Sequence, residues 1–309
     1  MGTIEAVVVT PEAPARLAVG KAPAPAPAPS EAVVRVAAVS LNPVEVRRAQ
    51  NATPGTTVGE DVAGRVVQAA ADGSGPPTGT RVIGWLPAGA WAEEVAVPTN
   101  ALAPVPEGVA LTDAATLPTA GLTAFYAVDR GGSLLGRRVL VTGASGGVGH
   151  LAVQLAHVAG GRVVAQVRNR ERVGAVRHES VDTVVVGDDA GDHGPYHLVA
   201  DGVGGDVLAR ALGWLEPDGV AVAYGTAGGA TTATVDLTHF TGGSLYRMRL
   251  PNEFGRLPAS VGLETLGRLL GDGLLSPHIA VEARWTEVGE VAERLRDRAY
   301  AGKAVLTLE

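Results

Sequence analysis

The residues best suited to chemistry are Thr142-Gly143-Ala144-Ser145-Gly146-Gly147-Val148-Gly149. They stand between an apolar run, Val139-Leu140-Val141, and a segment whose apolar residues Val148, Leu151, Ala152, Leu155 and Ala156 recur at helical spacing. A strand, a glycine turn and a helix in that order present backbone N–H groups at a helix N-terminus. Glycine lets the pyrophosphate of a dinucleotide approach them where a Cβ would hold it off. Gly143, Ser145, Gly146, Gly147, Val148 and Gly149 are therefore expected to bind a nucleotide cofactor. Tight packing of the strand on the helix is the alternative use of the same glycines.

About twenty residues beyond such a turn, NAD-binding chains commonly place an acidic residue on the ribose hydroxyls. Here the stretch reads Arg168-Asn169-Arg170-Glu171-Arg172. Guanidinium groups suit a 2′-phosphate, which they hold through forked, charge-assisted hydrogen bonds. Arg168, Asn169 and Arg172 are the expected contacts, and NADPH is the expected cofactor. An exposed basic loop is the alternative.

Composition limits what else the chain can do. It has no cysteine, which excludes disulfides, a thiol nucleophile and any zinc site with cysteine ligands. The formal charge of -7 argues against nucleic acid as a partner. The N-terminus MGTIEAVVVTPEA has no basic leader, and no apolar run reaches the roughly eighteen residues of a membrane span. A cytoplasmic protein acting on a small molecule is expected, without a membrane partner. A chain of 309 residues suits two domains.

The elements that must carry these residues differ along the chain. IEAVVVT, EAVVRVAAVSL, DVAGRVVQA, TRVIGW and AEEVAVP read as short strands of a β-rich module. Between the first two, Ala22 to Pro29 alternates alanine with proline and reads as a stiff connector. From about residue 112, helical windows alternate with apolar strands. LTDAATLPTAGLTAFYAV begins this region as helix; RRVLVTG, RVVAQV, YHLVADGV and GVAVAYG read as strands, with GVGHLAVQLAHVAG and VLARALGWL as helices. That alternation implies right-handed crossovers and a parallel sheet. Two amphipathic helices, in ASVGLETLGRLLGDG and EVGEVAERLRDRAYAG, and a last strand KAVLTLE can rejoin the first module.

TGASGGVG also fits the TGxxxGxG turn of short-chain dehydrogenases, but there the turn lies near the N-terminus and a YxxxK pair supplies the proton. Neither Lys21 nor Lys303 has a tyrosine four residues before it, and Tyr300 and Lys303 are only three apart. The whole chain instead resembles the zinc-free quinone oxidoreductase and enoyl reductase branch of the medium-chain dehydrogenase/reductase superfamily. SLNPVEVRR at Ser40 to Arg48 is similar to its xLNPVD segment, VGEDVAG at Val58 to Gly64 to PGxDxAG, and GAWAEEVAVP at Gly89 to Pro98 to GxYAEYVxVP. AATLPTAGLTAFYAV at Ala114 to Val128 and GKAVL at Gly302 to Leu306 match its central helix and closing strand. The resemblance implies an α/β protein in which a Rossmann doubly wound parallel sheet, residues 113–255, is inserted in a GroES-like β-rich catalytic domain made of residues 1–112 and 256–309. It implies a homodimer as well.

Zinc-dependent relatives use GHE and cysteine ligands where this chain has Gly59-Glu60-Asp61, so no catalytic metal is expected. Without a Lewis acid, reduction of a conjugated C=C or a quinone is the better expectation than alcohol oxidation. By resemblance Asn42 and Thr123 lie beside the nicotinamide, and Tyr224 with the turn Gly225-Thr226-Ala227 borders the cofactor. Asn42 capping a turn before Pro43 and Thr123 packing its helix are the alternatives. Arg47 stands where many relatives carry tyrosine or lysine; it would hold an enolate or carboxylate electrostatically, or remain a solvated surface charge. Tyr224 and Tyr246 are the phenols available as proton donors or as hydrogen-bonded core groups. Two departures from the family pattern are a short Ala49 to Thr57 and the run VDTVVVGDD, which lacks the usual tyrosine. The expected activity is NADPH-dependent reduction of an enone or enoyl substrate, with quinone reduction and a non-catalytic nucleotide-binding role as alternatives.

Overall fold

β-branched side chains lose rotamer freedom in a helix and pack well on a pleated surface, and the N-terminal half uses them so. The computed structural model describes residues 2–187 and 189–308. Seven strands form in this half: β1 (Thr3–Val9), β2 (Leu17–Pro23), β3 (Glu31–Leu41), β4 (Asp61–Gln68), β5 (Arg81–Trp85), β6 (Glu94–Pro98) and β7 (Leu102–Pro104). Five coincide with the runs expected from sequence. The others are corrections: β7 is very short, and β2 takes Ala22 and Pro23 out of the expected connector by pairing antiparallel with β1, Pro23 opposite Thr3. Proline fits that strand end, where its missing N–H breaks no ladder. Residues 24–28 carry no helix or strand.

Helix α1 (Pro43–Ala49) follows β3, and α2 (Leu111–Ala114) follows β7. The helix expected through Val128 is not continuous. Pro118 has no N–H to donate, and a π-turn at Leu117–Gly121 separates α2 from α3 (Leu122–Asp129).

The second half gives β8 (Arg138–Thr142), α4 (Gly147–Val158), β9 (Arg162–Val167), β10 (Thr183–Val186), β11 (Tyr196–Asp201), α5 (Gly205–Leu212), β12 (Leu215–Ala223), β13 (Ser244–Arg247) and α6 (Leu250–Glu253). The strand order is β10-β9-β8-β11-β12-β13, every pair parallel. Chain direction across the sheet reverses between β8 and β11, the topology of a doubly wound sheet whose crevice lies at the strands' carboxyl ends. The link from β9 to β10 contains 3-10 turns at Arg170–Ala175 and His178–Ser180 where an α-helix is usual. Asp188, within the run that lacks the family tyrosine, lies outside the described residues. Tyr196, Leu198, Val199 and Ala221 fill the sheet's core.

The tail adds α7 (Ala259–Gly271), β14 (Ile279–Arg284), α8 (Val288–Arg296) and β15 (Lys303–Thr307). β15 pairs antiparallel with β3, Ala304 opposite Leu41, completing a sheet of order β14-β15-β3-β4-β5-β7 with β6 also on β3. Val288, Val291 and Ala292 of α8 recur at helical spacing and pack with Trp91, Leu17 and Trp285 in the core of this sheet. The chain thus divides into two units, Met1–Leu122 with Leu257–Glu309, and Thr123–Arg256. Among the described residues no helix is long and apolar enough to cross a membrane.

Candidate active site

In the parallel-sheet unit, the chain leaves β8 at Thr142 and turns at Gly143, whose φ of +64° lies in the left-handed region open to glycine. Gly146 N returns to Gly143 O at 2.9 Å, and Ala144 N donates to Gln166 O on β9 at 3.0 Å. α4 then starts with Gly146 at its cap, with no side-chain cap hydrogen bond among the described residues. Ser145 is buried, whereas Gly143, Gly146, Gly147 and Val148 stay partly exposed. A Cβ on Gly149 would run into the Gly143 carbonyl oxygen, so this glycine is required by the turn's own packing. The uncapped N–H groups and the bare turn fit a pyrophosphate.

After β9, Arg168 and Arg170 are exposed and make no hydrogen bond or ion pair among the described residues; Arg172 is half-buried. Asn169 starts the following 3-10 turn, with its Oδ1 buried and without a hydrogen-bond partner among the described residues. After β12, Tyr224 N donates to Asp201 O at 2.9 Å, Gly225 follows, and Thr226 O accepts from Gly229 N at 2.9 Å. The sheet therefore gathers the expected cofactor residues at the carboxyl ends of β8, β9 and β12. Thr123 is buried in the first turn of α3. Both phenols are weaker acids than a free tyrosine. Burial pushes the Tyr224 phenol up, and a hydrogen bond from Tyr246 to Glu253 at 2.6 Å raises that phenol too.

The β-rich unit holds a polar network that sequence reasoning did not assemble. Asn42 begins α1, and its N–H donates to Glu45 Oε2 at 2.5 Å, one half of a capping box. Its side chain is fully used: Nδ2 donates to Asp61 Oδ2 at 2.8 Å and weakly to Glu45 Oε1 at 3.3 Å, while Oδ1 accepts from Lys303 Nζ at 2.5 Å. Lys303 also donates to Leu41 O at 2.9 Å and lies 3.5 Å from Asp61 Oδ2. Asp61 receives Ser40 Oγ at 2.5 Å and Thr119 N at 2.8 Å. Glu60 takes Arg48 Nη1 at 2.5 Å and Thr119 Oγ1 at 3.1 Å. Asn42 thus stands at the cap position of α1, but its side chain anchors the network and makes no cap hydrogen bond to the helix's first turn among the described residues. Arg47 is exposed and pairs with nothing among the described residues, whereas its neighbour Arg48 reaches the buried Glu60. The signals that could have found this network were a lysine inside an apolar closing strand and the adjacent acids of Gly59-Glu60-Asp61. No group of described side chains has the arrangement of metal ligands.

Burial, then the charge of Asp61, raises the Glu60 carboxyl; burial with Asp61 and Glu60 raises Glu45 well above the ordinary range. A carboxyl raised in the fold binds its proton more tightly folded than unfolded. Ionising it costs stability as pH rises from the ordinary glutamate range, and acidification returns that stability. Glu60→Gln keeps an acceptor for Arg48 and reverses the Thr119 hydrogen bond, its amide donating to the hydroxyl oxygen. We expect it to flatten the decline of the urea midpoint between mildly acidic and neutral pH. An unchanged slope would show that Glu60 ionises as freely folded as unfolded.

Residues 28–107 match the alcohol dehydrogenase GroES-like domain. Quinone oxidoreductase-like protein 2 of Bos taurus is 30% identical over 271 residues, covering 82% of this chain and 76% of that protein. The 2-methylene-furan-3-one reductase of Solanum lycopersicum is 30% identical over 171 residues, 50% of this chain and 44% of the reductase. In fold, a mycobacterial protein solved in complex with NADPH superposes with a TM-score of 0.84 at 24% identity, over 98% of this chain and 99% of the other. The domain match and the bovine relative's coverage of both chains carry the same conclusion: the chain is an oxidoreductase of the medium-chain dehydrogenase/reductase superfamily, in its zinc-free quinone oxidoreductase branch.

Proposed function

We propose that this oxidoreductase uses NADPH to reduce an activated C=C bond of an enone or enoyl compound. The observation that carries the reading is the carboxyl-end edge of the parallel sheet, where a glycine turn and a helix N-terminus follow β8, and exposed Arg168, without an ion pair among the described residues, follows the neighbouring β9. The turn and the first N–H groups of α4 would hold the pyrophosphate, and Arg168 with Arg172 would face the 2′-phosphate. Bound there, the nicotinamide supplies a hydride. The protein's own part is to fix the acceptor and to stabilise the negative charge that develops on its oxygen. The family resemblance supports Arg47, exposed on α1, for that role, and Asn42 for a positioning one through its buried network.

The tomato relative supports the enone reading, since its named substrate carries a methylene conjugated to a ketone. The bovine relative's name supports a quinone instead. NADPH consumption in the presence of an enone, an enoyl thioester and a quinone separates the two; turnover of the quinone alone would replace the C=C reading. For the cofactor, replacing Arg168 and Arg172 together by glutamine is expected to raise KM for NADPH by roughly a hundredfold and that for NADH by less than about threefold, the loss of two charge-assisted contacts. Equal effects on both nucleotides would refute the arginine reading.

A further inference from the structure

The loops at the carboxyl ends of β8, β11 and β12 converge on one side chain. Asp201, the last residue of β11, is completely buried. Its Oδ1 accepts from Thr142 Oγ1, at the end of β8, at 2.6 Å and from Val203 N at 3.3 Å; its Oδ2 accepts from Gly204 N at 2.9 Å. Thr142 Oγ1 in turn accepts from Gly202 N at 3.2 Å. The Asp201 carbonyl takes Tyr224 N and Gly225 N beyond β12, at 2.9 and 3.3 Å. Ala227 N and Gly228 N complete the tie through Gly202 O and Val203 O, at 3.0 and 2.8 Å. Val203, placed by this carboxylate, packs so close to the glycine turn that a Cβ on Gly143 would meet its Cγ2 at 3.3 Å.

Every described group hydrogen-bonded to the carboxylate is a donor: a threonine hydroxyl and two backbone N–H groups. Asparagine is a poor replacement, because its amide nitrogen faces the Gly204 N–H at one position, and at the other faces the Val203 N–H and forces the threonine hydroxyl to accept. The glycine turn itself has no other side chain linking it to β11's loop among these hydrogen bonds.

We propose that Asp201 is the positioning residue of the nucleotide crevice, holding the 202–205 loop against the Gly143 turn so that cofactor affinity depends on its carboxylate. The inference rests on the reading that the cofactor binds at this edge. It also carries a pH dependence. Burial raises the Asp201 carboxyl, opposed by the hydrogen bonds of Thr142, Gly204 and Val203 and by the charge of Arg247 on β13; the Tyr224 phenol is the other titratable group facing it. Protonation removes the acceptor the loop needs, so nucleotide affinity falls on acidification at a pH above that of an ordinary aspartate.

The test measures NADPH and NADH dissociation constants by nicotinamide fluorescence, and amide hydrogen exchange of the nucleotide-free protein, in wild type, Asp201→Asn and Thr142→Val. Asp201→Asn is expected to weaken both nucleotides by roughly tenfold to a hundredfold, the range for losing hydrogen bonds to a buried charge. Its kcat at saturating nucleotide should fall by much less, and the amides of Val203 and Gly204 should exchange faster while β8 and β9 stay protected. Thr142→Val should move affinity the same way by less. Wild-type affinity in Asp201→Asn overturns the inference, as does a kcat that falls as far as the affinity. If Asp201→Asn does not fold, Thr142→Val decides, and unchanged affinity in it overturns the inference. A wild-type protein that binds neither nucleotide overturns the cofactor reading and this inference with it, whereas binding that Asp201→Asn leaves intact overturns this inference alone.

Discussion

Lys303→Met is expected to destabilise the β-rich unit by about 3–5 kcal/mol, the range for removing one partner of a buried ion pair. Methionine keeps most of the lysine stem, so the core is hardly emptied and the lost ammonium dominates. Asp61 and Lys303 are 0% and 5% exposed at the side chain, and water cannot take over as counter-charge. Asn42 Oδ1 and Leu41 O lose their donor at the same moment. Arg48→Met supplies the contrast. Its guanidinium is 53% exposed, and a screened pair of that kind contributes about 1 kcal/mol or less. Urea unfolding of the two variants measures the difference. A Lys303→Met loss no larger than that of Arg48→Met would mean that solvent reaches Asp61 and that the network is not a buried one.

The reason Lys303 escaped the sequence is that its role depends on a pairing across nearly the whole chain. GKAVL reads locally as a closing strand and does close the sheet. Only the register that sets Ala304 opposite Leu41 brings the lysine to Asn42. Arg47 and Arg48 show the same limit within one helix. Neighbouring residues point about 100° apart on a helix of 3.6 residues per turn, so one arginine meets the buried Glu60 and the other meets solvent. Sequence alone gives no helical phase for a helix as short as α1. The parallel sheet was legible because apolar strands and amphipathic helices alternate in local windows, and the glycine turn because its order is local too. The strands that escaped, β2, β7, β10, β13 and β14, are short or carry glycine, lysine, proline or alternating charge, and partners hold them where propensity does not. Asp201 lies within YHLVADGV, which reads locally as a strand; an acid ending an apolar strand is the available signal.

Gly149→Ala separates the two uses of the glycine turn. The added methyl meets the Gly143 carbonyl oxygen, and Ala144 Cα at 2.9 Å, both backbone atoms that cannot rotate aside as a side chain would. Relief comes only by moving the N-terminus of α4 off the turn. Overpacking of this kind costs about 1–3 kcal/mol. A shift near 1 Å in the N–H groups that would hold the pyrophosphate is expected to cost roughly a hundredfold in nucleotide affinity. Gly255→Ala is the matched control, since a Cβ there meets nothing within 4 Å and its φ is not in the left-handed region; it should leave affinity unchanged and stability within about 1 kcal/mol. Thermal melts and fluorescence titration with NADPH measure the two effects separately. If Gly149→Ala melts lower yet binds as wild type does, the glycine serves strand-to-helix packing alone. Loss of both together is the expected result, because the hydrogen bond from Gly146 N to Gly143 O at 2.9 Å links the packed carbonyl to the start of the helix.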